Sequence, residues 1–240
     1  SAFTGKQYQP SDKSNFGLFL DSAPDRWGRT LMRRWEAINA RLQDREPRTL
    51  NEADYLMGVY DGNRIGALRF KFSKEGDFMD NERSLATPPW ASIRELEHAS
   101  LQIEREDIVD IPEHTRWIDM LVAPGSSLGG ARPKANVVDE NGRLWIVKFL
   151  SAGDTKDSGA WEMVTAEMAR SCGIEVSECR AQRFGSRHHS FMTERFDRTD
   201  RGATDALCFG HDVARLYGRY EPYGGSQLPR TGRMDHRQLR

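Results

Sequence analysis

The tetrapeptide Asp139-Glu-Asn-Gly142, set between two apolar runs, constrains the fold of this chain more than any other feature. Asn-Gly flanked by alternating apolar residues is a strong hairpin signal, because glycine accepts the positive φ of a tight reversal. Two paired strands are thus predicted over Ala135–Asp139 and Arg143–Phe149. A polar loop, Ser151–Gly159, then leads into a helix over Ala160–Ser171, with Gly173 as its C-cap. A second strand pair, Glu178–Phe184 and Ser190–Phe196, is predicted around the turn Gly185-Ser-Arg-His-His. Two strands, a helix and two more strands predict an α+β unit: a mixed β-sheet with one packed helix.

The first half of the chain reads differently. Residues 1–15 are polar and aperiodic, which predicts a frayed or truncated start. Ser22 is placed to cap a helix whose first turn holds Pro24. Trp27, Leu31, Trp35 and Ile38 then recur at helical spacing, so this helix is predicted from about Pro24 to Leu42. A short helix over Asn51–Val59 is predicted next, then a strand over Gly66–Phe72 after the turn Asp61-Gly-Asn. Pro88-Pro89 breaks the chain before an amphipathic helix from about Ser92 to Glu104, and from Val122 the pattern changes to strand and turn. At the other end, residues 201–240 hold only five Leu, Ile or Val. That is too little apolar surface to offset the entropy of ordering, so a disordered tail is predicted. The predicted organisation is 1–15, 16–118, 119–200 and 201–240.

Composition excludes several classes. No run approaches the ~18 apolar residues of a membrane span, and the start lacks a basic-then-apolar leader, so a cytoplasmic protein is expected. A net charge of -1 gives no global attraction to nucleic acid or acidic lipid. Cys172, Cys179 and Cys208 form no CxxC pair and are read as buried or neutral thiols of a reducing compartment. His188-His189 are adjacent in a hairpin turn, so no zinc site is expected.

The chemistry is concentrated around the first hairpin. In Ser126-Ser-Leu-Gly-Gly-Ala-Arg-Pro-Lys134, the small residues Gly129, Gly130 and Ala131 let backbone N–H groups approach phosphate oxygens. Arg132 and Lys134 add positive charge on either side of Pro133. A plain glycine turn between strands has the same composition, and GxxxxGK[ST] is absent. Lys148 closes the apolar run Leu144-Trp-Ile-Val, where a charge needs a partner or a route to water. Glu162, early in the next helix, is the counter-ion. A small-residue loop, a strand lysine and a helix glutamate, in that order, are what kinases use on the phosphates of ATP. Glu194, Arg195 and Phe196 follow an apolar strand where a kinase hinge would meet adenine, with Phe196 available to stack on a base.

Taken together these residues resemble the HipA family, serine/threonine-kinase toxins of bacterial toxin–antitoxin modules. The resemblance runs over about residues 16–200. It includes Asp21-Ser-Ala-Pro-Asp-Arg-Trp-Gly-Arg29, Gly66-Ala-Leu-Arg-Phe70, Leu128–Lys134, Lys148, Glu162, Gly173-Ile-Glu-Val176 and Glu194-Arg-Phe-Asp-Arg198. It implies a HipA N-terminal region followed by a kinase-like small lobe. It also implies ATP with Mg²⁺ as cofactor, Gly129–Lys134 as the phosphate loop, Lys148 as the nucleotide lysine and Glu194–Phe196 as the hinge. Ser127 lies where the family carries a loop serine that is autophosphorylated with loss of activity. The implied partners are a small helix-turn-helix antitoxin and a protein substrate such as an aminoacyl-tRNA synthetase, with DNA reached only through the antitoxin.

Two departures shape the expectation. The family's H-x-D-x-x-x-x-N segment and its metal-binding aspartate do not occur; in Gly210-His-Asp-Val the His and Asp are adjacent. The family's β-rich opening before Phe16 is also missing. The sequence therefore predicts a truncated kinase with no catalytic residues and no metal ligands of its own, frameshifted after about residue 200. A non-catalytic module engaging an antitoxin, or a companion chain carrying the large lobe, is the alternative.

Overall fold

A computed structural model describes residues 19, 22–65, 68–79, 87–104, 111–125 and 130–197. The predicted start at 1–15 and the tail at 201–240 lie outside the described residues. The first helix, α1 (Arg26–Leu42), begins one turn later than its predicted cap. Asp25, not Ser22, is the N-cap, and its carboxylate accepts the Trp27 N–H at 3.1 Å. The Ser22 hydroxyl instead donates to the Ile65 carbonyl.

Trp27 and Leu31 of α1 are buried as the spacing predicts, but Trp35 is 44% exposed. The inward stripe passes through Met32, Glu36 and Ala40 instead. Glu36 can be buried because Arg45 grips both its oxygens and the Arg48 N–H donates to it. The helix α2 (Glu52–Met57) opens on a capping box between Asn51 and Asp54. A single 3-10 turn, Asp61–Asn63, follows. The strand predicted over Gly66–Phe72 is not formed at residues 68–72, while Gly66 and Ala67 lie outside the described residues. Arg69 instead turns back to the Asp61 carboxylate and stacks on Phe78.

A 3-10 turn, Trp90–Ser92, runs directly into α3 (Ile93–Glu104). The helix α4 (Ile111–Gly125) has no counterpart in the sequence reading and runs across position 118/119, where the sequence was divided. Pro112 suits its first turn, where the N–H would lack a partner anyway. Among its described side chains, Ile118 and Leu121 are buried.

Four strands follow: β1 (Lys134–Val138), β2 (Leu144–Lys148), β3 (Cys179–Gln182) and β4 (Ser190–Glu194). Their order is β1-β2-β4-β3, and every neighbouring pair is antiparallel. The expected mixed sheet is thus an antiparallel one. Both connections within strand pairs are short hairpins, which join only antiparallel neighbours. Gly142 (φ +80°) closes the first hairpin, and Asp139 fastens it by accepting the Asn141 and Arg143 N–H groups. At the free edge of β1, the Val138 N–H donates to the Pro88 carbonyl, so the Pro88-Pro89 break also covers that edge.

The helix α5 (Ser158–Ser171) lies against β3 and β4. Cys172 caps it and Gly173 follows in the left-handed region (φ +78°). The Gly173 and Ile174 N–H groups return to Arg170 and Ala169, a Schellman ending. Cys172 is exposed and Cys179 half-buried, both free, and Cys208 lies outside the described residues. In the first turn of α5, a Cβ on Gly159 would sit 2.0 Å from the His189 carbonyl oxygen. We expect Gly159→Ala to cost about 2–4 kcal/mol by forcing α5 off β4, read as a lower urea midpoint.

One apolar core unites these layers. Trp27 and Leu31 of α1, Ile93, Leu96 and Ile103 of α3, and Leu121 of α4 pack on Ala135, Val137, Trp145 and Val147 of the sheet. Strand alternation therefore turns Trp145 and Val147 toward the helices. Leu144, Ile146 and Lys148 are left on the opposite face, only half-buried. That face carries the chemistry.

Candidate functional site

Lys134 and Lys148 stand directly opposite each other in the β1–β2 ladder. Residues facing each other across a ladder share a face, with Cβ atoms roughly 5 Å apart. Two ammonium groups side by side require anions, and two separate elements supply them. Glu162 of α5 meets the Lys148 ammonium at 2.5 Å. Asp25, the cap of α1, approaches Lys134 to 3.7 Å.

The pairs differ in solvation. Lys148 and Glu162 are each about one-third exposed (35% and 32%), so water and incoming ligands reach them. The Lys134 side chain is only 3% exposed. Burial pushes its ammonium pKa down, Asp25 opposes that shift, and the charge on Lys148 adds to it. Burial likewise pushes the Asp25 carboxyl up, against the pull of Lys134. Asp25 Oδ2 is buried and lacks a hydrogen bond among the described residues. Gly130 (φ +97°) lies over this pair, and a Cβ there would come within 3.0 Å of the Lys134 ammonium. The glycine is therefore required both by conformation and by the close approach of the lysine.

The other loop residues have definite places. Gly130 and Ala131 are exposed, and the Pro133 carbonyl accepts the Phe149 N–H. Arg132 is committed to the protein: it forks onto both oxygens of Asp154 at 2.7 and 2.9 Å and also donates to Ser158 at the start of α5. It ties the loop to the helix that carries Glu162. Gly129 and Ser127 lie outside the described residues. At the end of β4, the Glu194 carboxylate accepts from Arg143 at 3.1 Å, while Phe196 is 65% exposed. The Arg195 N–H donates to the Leu144 carbonyl, and its side chain is buried. The structure thus brings Lys134, Lys148, Glu162 and Gly130 together, and puts Glu194–Phe196 at the end of the strand beside Lys148. Arg132 and Arg195 serve the scaffold.

Two members of this arrangement carried no local signal. Asp25 joins Lys134 across more than 100 residues, and Asp154 sits in a polar loop whose composition marks it only as a turn. The nearby Asp157 was also unforeseen. It caps α5 and accepts both the backbone and the ring of His189. Burial raises its carboxyl, but the His189 ring, the His189 and Ala160 N–H groups and the imidazole charge outweigh that and hold it at about 2. Glu36 is held at about 2 by Arg45 and the Arg48 N–H, against burial. Both values lie below the ordinary 3.8 and 4.5, so the unfolded chain binds these protons first as pH falls. Their stabilisation is complete above about pH 5 and is lost progressively down to about pH 2. Equilibrium unfolding from pH 6 to 2.5 should show that loss, and Glu36→Gln should flatten it.

A glycine loop over two strand lysines, one paired to a helix glutamate, is chemistry for holding a polyphosphate. Residues 126–228 match the family model of the HipA-like C-terminal domain. The match continues through residue 228, past the described residues. No curated protein and no solved structure matches the chain.

Proposed function

We propose that the face bearing Lys148 binds Mg·ATP as the small lobe of a HipA-type serine/threonine kinase. The observation that carries this reading is the Lys148–Glu162 pair, set beside Lys134 and beneath Gly130. Lys148 is positioned by Glu162 to meet phosphate oxygens, since an ammonium held between a carboxylate and a phosphate keeps its charge and its direction. Lys134 adds a second positive centre, and Gly130 and Ala131, both exposed, offer backbone N–H groups to a phosphate. The half-buried Leu144 and Ile146 and the exposed Phe196 provide apolar surface for a base. These residues fit a triphosphate with its ion. When bound, Mg²⁺ would neutralise phosphate charge, and no set of three His, Cys, Asp or Glu among the described residues is arranged to hold an ion.

The 240 residues carry no H-x-D-x-x-x-x-N segment. These residues by themselves are therefore expected to bind nucleotide weakly and to transfer phosphate at background rate. The helical N-terminal region is the surface offered to a helix-turn-helix antitoxin. Ser127 is the candidate for loop autophosphorylation, and a protein such as an aminoacyl-tRNA synthetase is the substrate class. No described helix is long and apolar enough to cross a membrane.

Thermal-shift titration with Mg·ATP tests the binding claim, and incubation with labelled ATP and acceptor proteins tests the catalytic one. A saturable rise in melting temperature with no protein labelling is expected. Labelling by the polypeptide alone, abolished in Lys148→Ala, would show that it is a complete enzyme.

A further inference from the structure

Arg195 occupies the middle of the proposed base-binding segment, yet its side chain is 1% exposed. A guanidinium has five N–H donors in a fixed fork, and here five hydrogen bonds are made. Nε and one terminal nitrogen fork onto Asp197, at 2.8 and 2.5 Å. The other terminal nitrogen donates to the Asn63 carbonyl at 2.8 Å and to Asn136 Oδ1 on β1 at 3.0 Å. A fifth, longer bond reaches the Arg64 carbonyl at 3.3 Å. With the backbone N–H held by Leu144, residue 195 is fixed from both sides, and its neighbours Glu194 and Phe196 inherit that geometry.

The two carbonyls from the N-terminal region are themselves held. Arg64 is buried and donates to the carbonyls of Ser22, Leu56 and Val59 at 2.8–2.9 Å. Two buried arginines in series thus connect the approach to α1 and the end of α2 to the segment after β4. Each buried guanidinium needs its acceptors, because an unpaired buried charge costs several kcal/mol. Displacement of the 61–64 turn would therefore be felt at residues 194–196.

We propose that Arg195 is a positioning residue that makes adenine recognition depend on the helical N-terminal region, while leaving the phosphate-binding Lys148, held by Glu162 of α5, independent of it. The proposal rests on the nucleotide-binding reading above. The phosphate contact comes from Lys148 on β2, whose place is set by Glu162 and not by this chain of arginines; Lys134 is buried and tied to Asp25. Base contacts come from a segment whose shape depends on those arginines.

The test compares Mg·ATP with Mg·tripolyphosphate, which lacks the nucleoside, on the 240-residue protein and on Arg195→Lys and Arg64→Lys. Arg64 lies one carbonyl layer behind Arg195, so its variant separates positioning from direct contact. Both variants are expected to weaken ATP about tenfold, the effect of one lost charged hydrogen bond, with tripolyphosphate changed by less than about twofold. Where a lysine variant loses its cooperative melt, Asp197→Asn replaces it and is judged by the same ratio. Equal weakening of both ligands, an unchanged ratio, or a ratio altered by Arg195→Lys but not by Arg64→Lys overturns the proposal. If the unaltered protein binds neither ligand, the nucleotide-binding reading fails and this inference with it. If it binds both and the variants leave the ratio alone, only this inference fails.

Discussion

Lys148→Ala should weaken Mg·ATP binding by about 30- to 100-fold while leaving the melting temperature of the free protein nearly unchanged. A charge-assisted contact to phosphate contributes about 2–3 kcal/mol, and each 1.4 kcal/mol is a factor of about ten. The variant also leaves Glu162 without its cation (the pair is 2.5 Å apart in the native protein), so that carboxylate would face the phosphates and repel them. Glu162→Gln in the Lys148→Ala background should therefore recover part of the loss. Stability is spared because both side chains are about one-third exposed, and pairs so open to water contribute under about 1 kcal/mol. Titration calorimetry together with a melting curve reads both halves of this expectation.

The largest effect on stability is expected from Trp145→Ala. Trp145 is fully buried in the shared core. It meets Trp90 edge-on with ring centroids 5.2 Å apart, and its indole N–H donates to Asp139 Oδ2 at 3.1 Å. The Arg180 guanidinium lies 4.8 Å from its ring. Removing the ring opens a cavity between β2 and the helices and leaves the hairpin aspartate short of a donor. The cost is about 3–5 kcal/mol in a protein whose whole stability is on the order of 5–15 kcal/mol. A fall in melting temperature of roughly 10 °C or more follows. Trp145→Phe should lose a fraction of that, since the apolar contact survives and only the indole N–H is gone.

What the sequence revealed tracks the range of the forces involved. The β1–β2 hairpin was legible because Asp139 and Gly142 act within a few residues of each other. The ending of α5 was legible at Gly173 for the same reason. The Lys148–Glu162 pair spans 14 residues and could be read from the order strand, loop, helix. Three features depended on distant partners and could not be read. Asp25 took the capping role expected of Ser22 because the Ser22 hydroxyl found Ile65. Trp35 lost its place in the core to Glu36, whose burial depends on Arg45 folding back nine residues later. The strand expected after Gly66 was not formed at residues 68–72, where Arg69 is drawn to Asp61.

Arg195 shows the same limit at the site. In sequence it reads as one of three hinge residues; in the structure its side chain belongs to the carbonyls of Asn63 and Arg64, more than 130 positions away. A linear pattern can tell that a residue sits in a functional segment. It cannot tell whether the side chain faces the ligand or the scaffold.

The central claim is that nucleotide lies on the sheet face of Lys148, and amide hydrogen exchange with and without saturating Mg·ATP tests it most directly. Added protection is predicted at residues 130–134, 146–148 and 194–196, with the helix-facing core unchanged. Protection confined to Trp161, Thr165, Ala169 and Val176, which line a shallow groove of ≈ 450 Å³ that also reaches Glu162, or no change at any of these positions, would contradict it.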